Sequence, residues 1–130
     1  MLRVHTAQIG KYHGADALDI TIKSAPPEGR PFAPDRWDMV LGARRGRLSA
    51  DAYRAYYLEL MRASYRQHRE VWTTVLARDE VTLLCYCAAA TPFCHRYILA
   101  REILPRLGAR YCGVRASSTA RRLDQARRRA

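Results

Sequence analysis

The strongest constraint on this chain is one uninterrupted run of β-forming residues, Val81-Thr82-Leu83-Leu84-Cys85-Tyr86. A strand with one wet face alternates, whereas a strand covered on both faces reads as a continuous apolar stretch, as in parallel sheets. Parallel neighbours need crossover connections, so the run calls for helices on either side of it in the chain. The flanks comply. Ser49 is placed as a helix N-cap, with Asp51 favourable in the first turn. Tyr53, Tyr56, Tyr57, Leu60, Met61, Ser64 and Tyr65 then recur along one helical stripe, which reads as core packing. A second helix is expected around Arg69 to Arg78, burying Val71, Trp72, Val75 and Leu76. Downstream, Thr91 and Pro92 suit the N-cap and first position of a helix running through Leu107, with Gly108 placed to end it.

Three shorter segments complete the sheet. Arg3 to Ile9 alternates well enough for a strand and ends on Thr6 and Gln8 before Gly10. Leu18 to Ile22 has period two, with Leu18, Ile20 and Ile22 on one face and Asp19 and Thr21 on the other. Arg110 to Val114 reads as a final short strand. Residues 24–48 are the least regular part, punctuated by Pro26, Pro27, Pro31, Pro34, Gly29, Gly42 and Gly46. A connection of that length is either a binding loop or an ordered crossover. The expected fold is a small Rossmann-like layered α/β domain over residues 1–114. It has about four mostly parallel strands and helices on both faces. Residues 115–130, with six arginines against Asp124, read as a basic, disordered tail.

The net charge of +11 bears on partners. Of the basic residues all but Lys11 and Lys23 are Arg, a skew that coding bias explains, yet a basic surface attracts polyanions whatever its origin. An anionic small molecule or nucleic acid is therefore the expected partner. No stretch reaches the roughly 18 apolar residues of a membrane span. Met1-Leu2-Arg3-Val4-His5 leads into a strand pattern without an apolar signal segment, so a cytoplasmic location is expected.

In parallel sheets ligands bind beyond the carboxyl ends of the strands. That rule gathers Thr6 and Gln8, Asp19 and Lys23, and the segment from Cys85 to Arg96 into one candidate pocket. Three of the four cysteines fall between Cys85 and Cys94, a clustering that points to metal or thiol chemistry over a disulfide framework. Arg96 and the free amides of the following helix suit a phosphate or carboxylate. Cys94, with a thiol at a helix start, suits a nucleophile, and Asp19 and His95 are the candidate proton-transfer groups. Cys85, Cys87, Cys94 and His95 supply enough soft ligands for zinc. Their spacing is not a paired knuckle, and a strand-end Cys85 is expected to reach a helix-borne Cys94 poorly, so zinc is not the favoured reading. Buried structural cysteines, and a non-enzymatic nucleic-acid-binding module acting through the basic surface and tail, are the competing readings.

Several elements together resemble the prokaryotic family known as domain of unknown function 488. They are Thr6-Ala-Gln-Ile-Gly10, Ala17-Leu-Asp19-Ile-Thr-Ile-Lys23, Phe32-Ala-Pro34 with Trp37, Tyr57-Leu-Glu-Leu-Met61 with Ser64-Tyr65, Leu84-Cys-Tyr-Cys87 and Phe93-Cys-His-Arg96. The resemblance spans about residues 3–113, and its most specific part is the Cys…Cys-His-Arg element. It implies that Cys85, Cys94, His95 and Arg96 form the family's motif, with Cys87 belonging to a subset. The chain departs from similar members at Ala88–Pro92, where they carry a shorter glycine-containing loop, and at Val114, where they carry Glu. The resemblance supports the site and leaves the reaction open.

Overall fold

A computed structural model describes residues 1–87 and 94–115. Four strands form one parallel sheet: β1 (Arg3–Gln8), β2 (Ala17–Asp19), β3 (Glu80–Cys85) and β4 (Arg110–Val114), in the order β2-β3-β1-β4. The apolar run is β3, which lies in the interior of the sheet between β2 and β1, and its residues from Val81 to Cys85 are all buried. Register pairs Val4 with Val81, Thr6 with Leu83 and Gln8 with Cys85, so the carboxyl ends of β1 and β3 are level. β2 is shorter than the expected Leu18–Ile22 strand. The Asp19 carboxylate accepts the Thr21 N–H at 2.8 Å and the Ser24 hydroxyl at 2.5 Å, turning the chain away from the ladder.

Between β2 and β3 come α1 (Trp37–Arg44), α2 (Ala50–Gln67) and α3 (Arg69–Leu76). Ser49 Oγ accepts the Ala52 N–H at 3.1 Å, the cap its position promised. The irregular segment is an ordered crossover. It carries a 3₁₀ turn at Arg30–Phe32 as well as α1. The tyrosine stripe of α2 anchors it: Tyr57 donates to the Phe32 carbonyl at 2.7 Å and Ser64 to the Pro31 carbonyl at 2.5 Å. Trp72 of α3 packs at a tilt against Phe32, with ring centroids 4.7 Å apart, and donates to Ser64 Oγ at 3.0 Å. Between β3 and β4 lies α4 (His95–Ile98), continuing through a π-helical stretch (Leu99–Ile103) and a 3₁₀ turn (Leu104–Leu107). Gly108, at φ +97°, ends it in the left-handed conformation that glycine adopts without strain.

Helices on both faces were expected; the helices among the described residues pack on one. The crossovers β2→β3 and β3→β4 both step the same way along the sheet, and with the usual right hand both land on one face. Val4, Leu18, Val81 and Leu83 meet Tyr57, Trp72, Leu99 and Leu104 there in a single core. Among the described residues the opposite face is covered by the β1–β2 loop and Arg115. Tyr12 packs on Ala7 and Leu84, and Asp16 accepts from the Tyr12 and Thr82 hydroxyls at 2.5 and 2.7 Å. Arg115, counted with the tail from sequence, belongs to the fold. Its N–H donates to the Thr6 carbonyl at 2.7 Å, and its guanidinium bridges Asp16 and Glu80. The rest of the expected disordered tail, and the expected Thr91-Pro92 cap, lie outside the described residues. No helix among the described residues is long and apolar enough to cross a membrane.

Candidate functional site

Beyond the carboxyl ends of β2 and β3 opens a cavity of about 470 Å³. Its floor is sulfur: Cys85 closes β3, Cys87 follows two residues later, and Cys94 sits where α4 begins. Cys94 is extended (φ −64°, ψ 141°) and serves as the helix N-cap, so it stands before the first turn instead of within it. The described helix is entered at His95. Its four α-helical residues pass at once into a π-helical stretch.

The three sulfurs lie within 4.8 Å of one another, and Cys94 Sγ is 3.3 Å from Cys85 Sγ. The expected difficulty of bringing Cys85 to Cys94 is therefore removed: the end of β3 and the start of α4 face each other directly. A Cys85/Cys87/Cys94 group of this geometry could hold a metal ion. His95 is not part of that group; its Nδ1 neighbours Cys94 Sγ at 3.7 Å while its Nε2 meets the Ile20 carbonyl at 2.7 Å. That carbonyl can only accept, so Nε2 carries the proton and the Nδ1 lone pair faces Cys94. Burial lowers the pKa of His95 to about 4, keeping the ring neutral. Tyr57 meets it edge-on, with centroids 5.5 Å apart.

Charge is unevenly shared among the thiols. Cys87 is held well below the ordinary thiol range because it accepts hydrogen bonds from Cys85 and Cys94 and faces Arg44, whose Nη2 is 3.6 Å from its sulfur. Cys94 is pushed up by its contacts with the Cys85 and Cys87 sulfurs and by burial, and Cys85 is raised chiefly by its bond to Cys87. Negative charge in the cluster is thus favoured on Cys87 over its two neighbours.

Above the floor the wall is aromatic and cationic. Trp37, Val40, Ala43 and Arg44 come from α1, Tyr53 from α2, Lys23 from the turn after β2, and Tyr86 from the turn after β3. Lys23 Nζ stands 5.4 Å from the centre of the Tyr86 ring. No carboxylate is among the lining residues, and neither Lys23 nor Arg44 has an ion-pair partner among the described residues.

Of the residues expected at the site, Lys23, Cys85, Cys94 and His95 line this cavity, and four do not. Thr6 is fully buried, its hydroxyl 3.1 Å from that of Tyr111. Gln8 donates to the Tyr86 carbonyl at 3.1 Å and braces the floor from behind. Asp19 is engaged in the turn after β2 and lies outside the wall. Arg96 was expected to reach over the strand ends. It is instead fully buried beneath them, with Nη1 donating to the carbonyls of Cys87 at 2.7 Å and Cys85 at 3.3 Å. Sequence reasoning missed Arg44, Trp37 and Tyr53 as wall residues. Trp37, a large aromatic in a Pro/Gly-rich stretch, was the available signal, whereas nothing distinguishes Arg44 from the other arginines.

A second convergence of possible ligands, His5, Asp16 and Glu80, lies on the opposite face of the sheet. Arg115 bridges its two carboxylates, so their charge is already answered.

No curated protein and no solved structure matches the chain. Residues 4–107 match DUF488-N3a, described as the active DUF488-N3 subclade, so the chain belongs to the DUF488 family.

Proposed function

We propose that the protein binds a small anionic ligand of the nucleotide class in the cavity above the three thiols. The phosphate sits between Lys23 and Arg44, and the planar part lies against Trp37, Tyr53 and Tyr86. One observation carries this reading: the wall presents two cations without a carboxylate to answer them, set among aromatic rings. Cations at the mouth of a largely apolar cavity, one beside the Cys87 sulfur and neither facing a carboxylate, favour an anion with a flat apolar portion. A volume of about 470 Å³ suits a mononucleotide and not a folded nucleic acid. Chemistry on that ligand falls to the sulfur floor, and the description of the matching subclade as active supports an enzymatic reading.

Calorimetric titration with mononucleotides and inorganic phosphate, at low and high salt, tests the proposal. Lys23 and Arg44 are exposed, so Lys23→Ala and Arg44→Ala should fold normally. Each should weaken binding roughly 10- to 100-fold, the range of a charged hydrogen bond. Binding should survive moderate salt. Affinity indifferent to both substitutions, or binding that collapses steeply with salt as for a surface polyanion contact, would reject the pocket.

A further inference from the structure

We propose that Cys85, Cys87 and Cys94 hold one thiophilic metal ion of the zinc class, with its fourth coordination position open to the cavity. The occupant of that fourth position rests on the ligand reading above, whereas the metal site stands on the sulfurs themselves.

Tetrahedral zinc–thiolate bonds of about 2.3 Å place neighbouring sulfurs about 3.8 Å apart. The trio, with one pair at 3.3 Å and all atoms within 4.8 Å, brackets that separation. Three thiols in one cluster are also the wrong number for disulfides, since joining any two strands the third. All three line the cavity, so among the described residues the uncovered face of the cluster points into it. Three protein ligands plus one exchangeable position is the pattern of reactive zinc sites, while structural sites close all four.

The surroundings suit the charge. Binding follows Zn²⁺ + 3 Cys–SH → [Zn(S–Cys)₃]⁻ + 3 H⁺. Affinity therefore rises with pH. The product carries one negative charge. Arg44 Nη2 stands 3.6 Å from Cys87 Sγ, and the buried Arg96 guanidinium is fixed beneath the floor by the carbonyls of Cys85 and Cys87. Both offset that charge. By holding these carbonyls, Arg96 also fixes the backbone from which two of the three ligands project, a supporting role of the kind outer-shell groups play at metal sites.

The test uses metal alone. Full-length protein, reduced and stripped with chelator, is titrated with Co²⁺ and then challenged with Zn²⁺. The expected result is about one equivalent of Co²⁺ with thiolate-to-metal charge-transfer absorption and tetrahedral visible bands. Zn²⁺ should displace it. Of the four free cysteines, only the exposed Cys112 should then remain open to a thiol reagent. Cys87→Ser changes a half-buried residue past the end of β3, so the fold should persist while Co²⁺ affinity falls roughly 100-fold, at the upper end of what lost metal-site contacts cost. Cys112→Ser should change nothing. Absence of the charge-transfer band, its full retention in Cys87→Ser, or a Cys85–Cys94 disulfide in place of bound metal would each overturn the proposal. Metal binding without nucleotide binding would sink only the ligand reading, and nucleotide binding without metal would sink only this one.

Discussion

The guanidinium of Arg96 donates to the main-chain carbonyl of Cys87 across 2.7 Å, from a position that solvent does not reach. That bond ties the first turn of α4 to the chain leaving β3, and so holds the sulfur floor in place. A charged donor pays for its burial only if it keeps its acceptors, and Arg96 has carbonyls from β1, from β3 and from the turn after β3.

Arg96→Ala should therefore destabilise the protein by about 3 kcal/mol, because buried carbonyls lose a charged donor. Arg96→Lys should lose a substantial part of the same amount, since one ammonium cannot reproduce the planar fork. Thermal unfolding of both variants beside nucleotide titration checks this. Unchanged stability with weakened binding would return Arg96 to the role of a ligand clamp.

Acid should weaken the fold through His95. Its folded pKa, lowered to about 4 chiefly by burial, lies below the unfolded value of 6.5. Between those values the unfolded chain binds more protons, so stability is complete above about pH 6.5 and falls as the pH drops towards 4. The loss from this one ring amounts to about 3 kcal/mol by pH 4. His5 is also lowered by burial and acts with the same sign. Urea unfolding between pH 7 and pH 4 should show the decline, and His95→Asn should flatten much of it. An equally steep acid limb in that variant would place the proton elsewhere.

Among the three clustered thiols of the metal-free protein, Cys87 should be alkylated first. Hydrogen bonds from Cys85 and Cys94, with Arg44 alongside, favour its thiolate, while Cys85 and Cys94 are pushed the other way and buried. Iodoacetamide at pH 6, followed by peptide mass analysis, should modify Cys87 well ahead of both. Arg44→Ala should slow that labelling, because it removes the cation that faces the sulfur. Labelling of Cys94 before Cys87 would contradict the assignment of charge within the cluster.

Much of the fold was written in local pattern. The apolar run from Val81 to Tyr86 determined a doubly covered β3, the stripe from Tyr53 to Tyr65 determined the buried face of α2, and Ser49 and Gly108 determined two helix ends. Each works through short-range physics, in which side-chain period, cap geometry or a left-handed residue acts over a few positions. The same logic brought Lys23, Cys85, Cys94 and His95 to the strand ends, because parallel strands present their carboxyl ends together. What pattern did not contain is the direction in which a side chain turns once it arrives. Arg96 points inward because the carbonyls of Cys85 and Cys87 gather beneath the floor, and only the registered pairing of β1 with β3 puts them there. Arg44 meets Cys87 across 43 positions of sequence, a contact created by folding α1 back over the strand ends. The placing of the described helices on one face likewise follows from the strand order, which no single segment encodes. The sequence determined which elements form and which segments reach the strand ends, and tertiary structure alone decided which side chains turn inward and which charges meet the thiols, since that depends on distances between segments far apart in the chain.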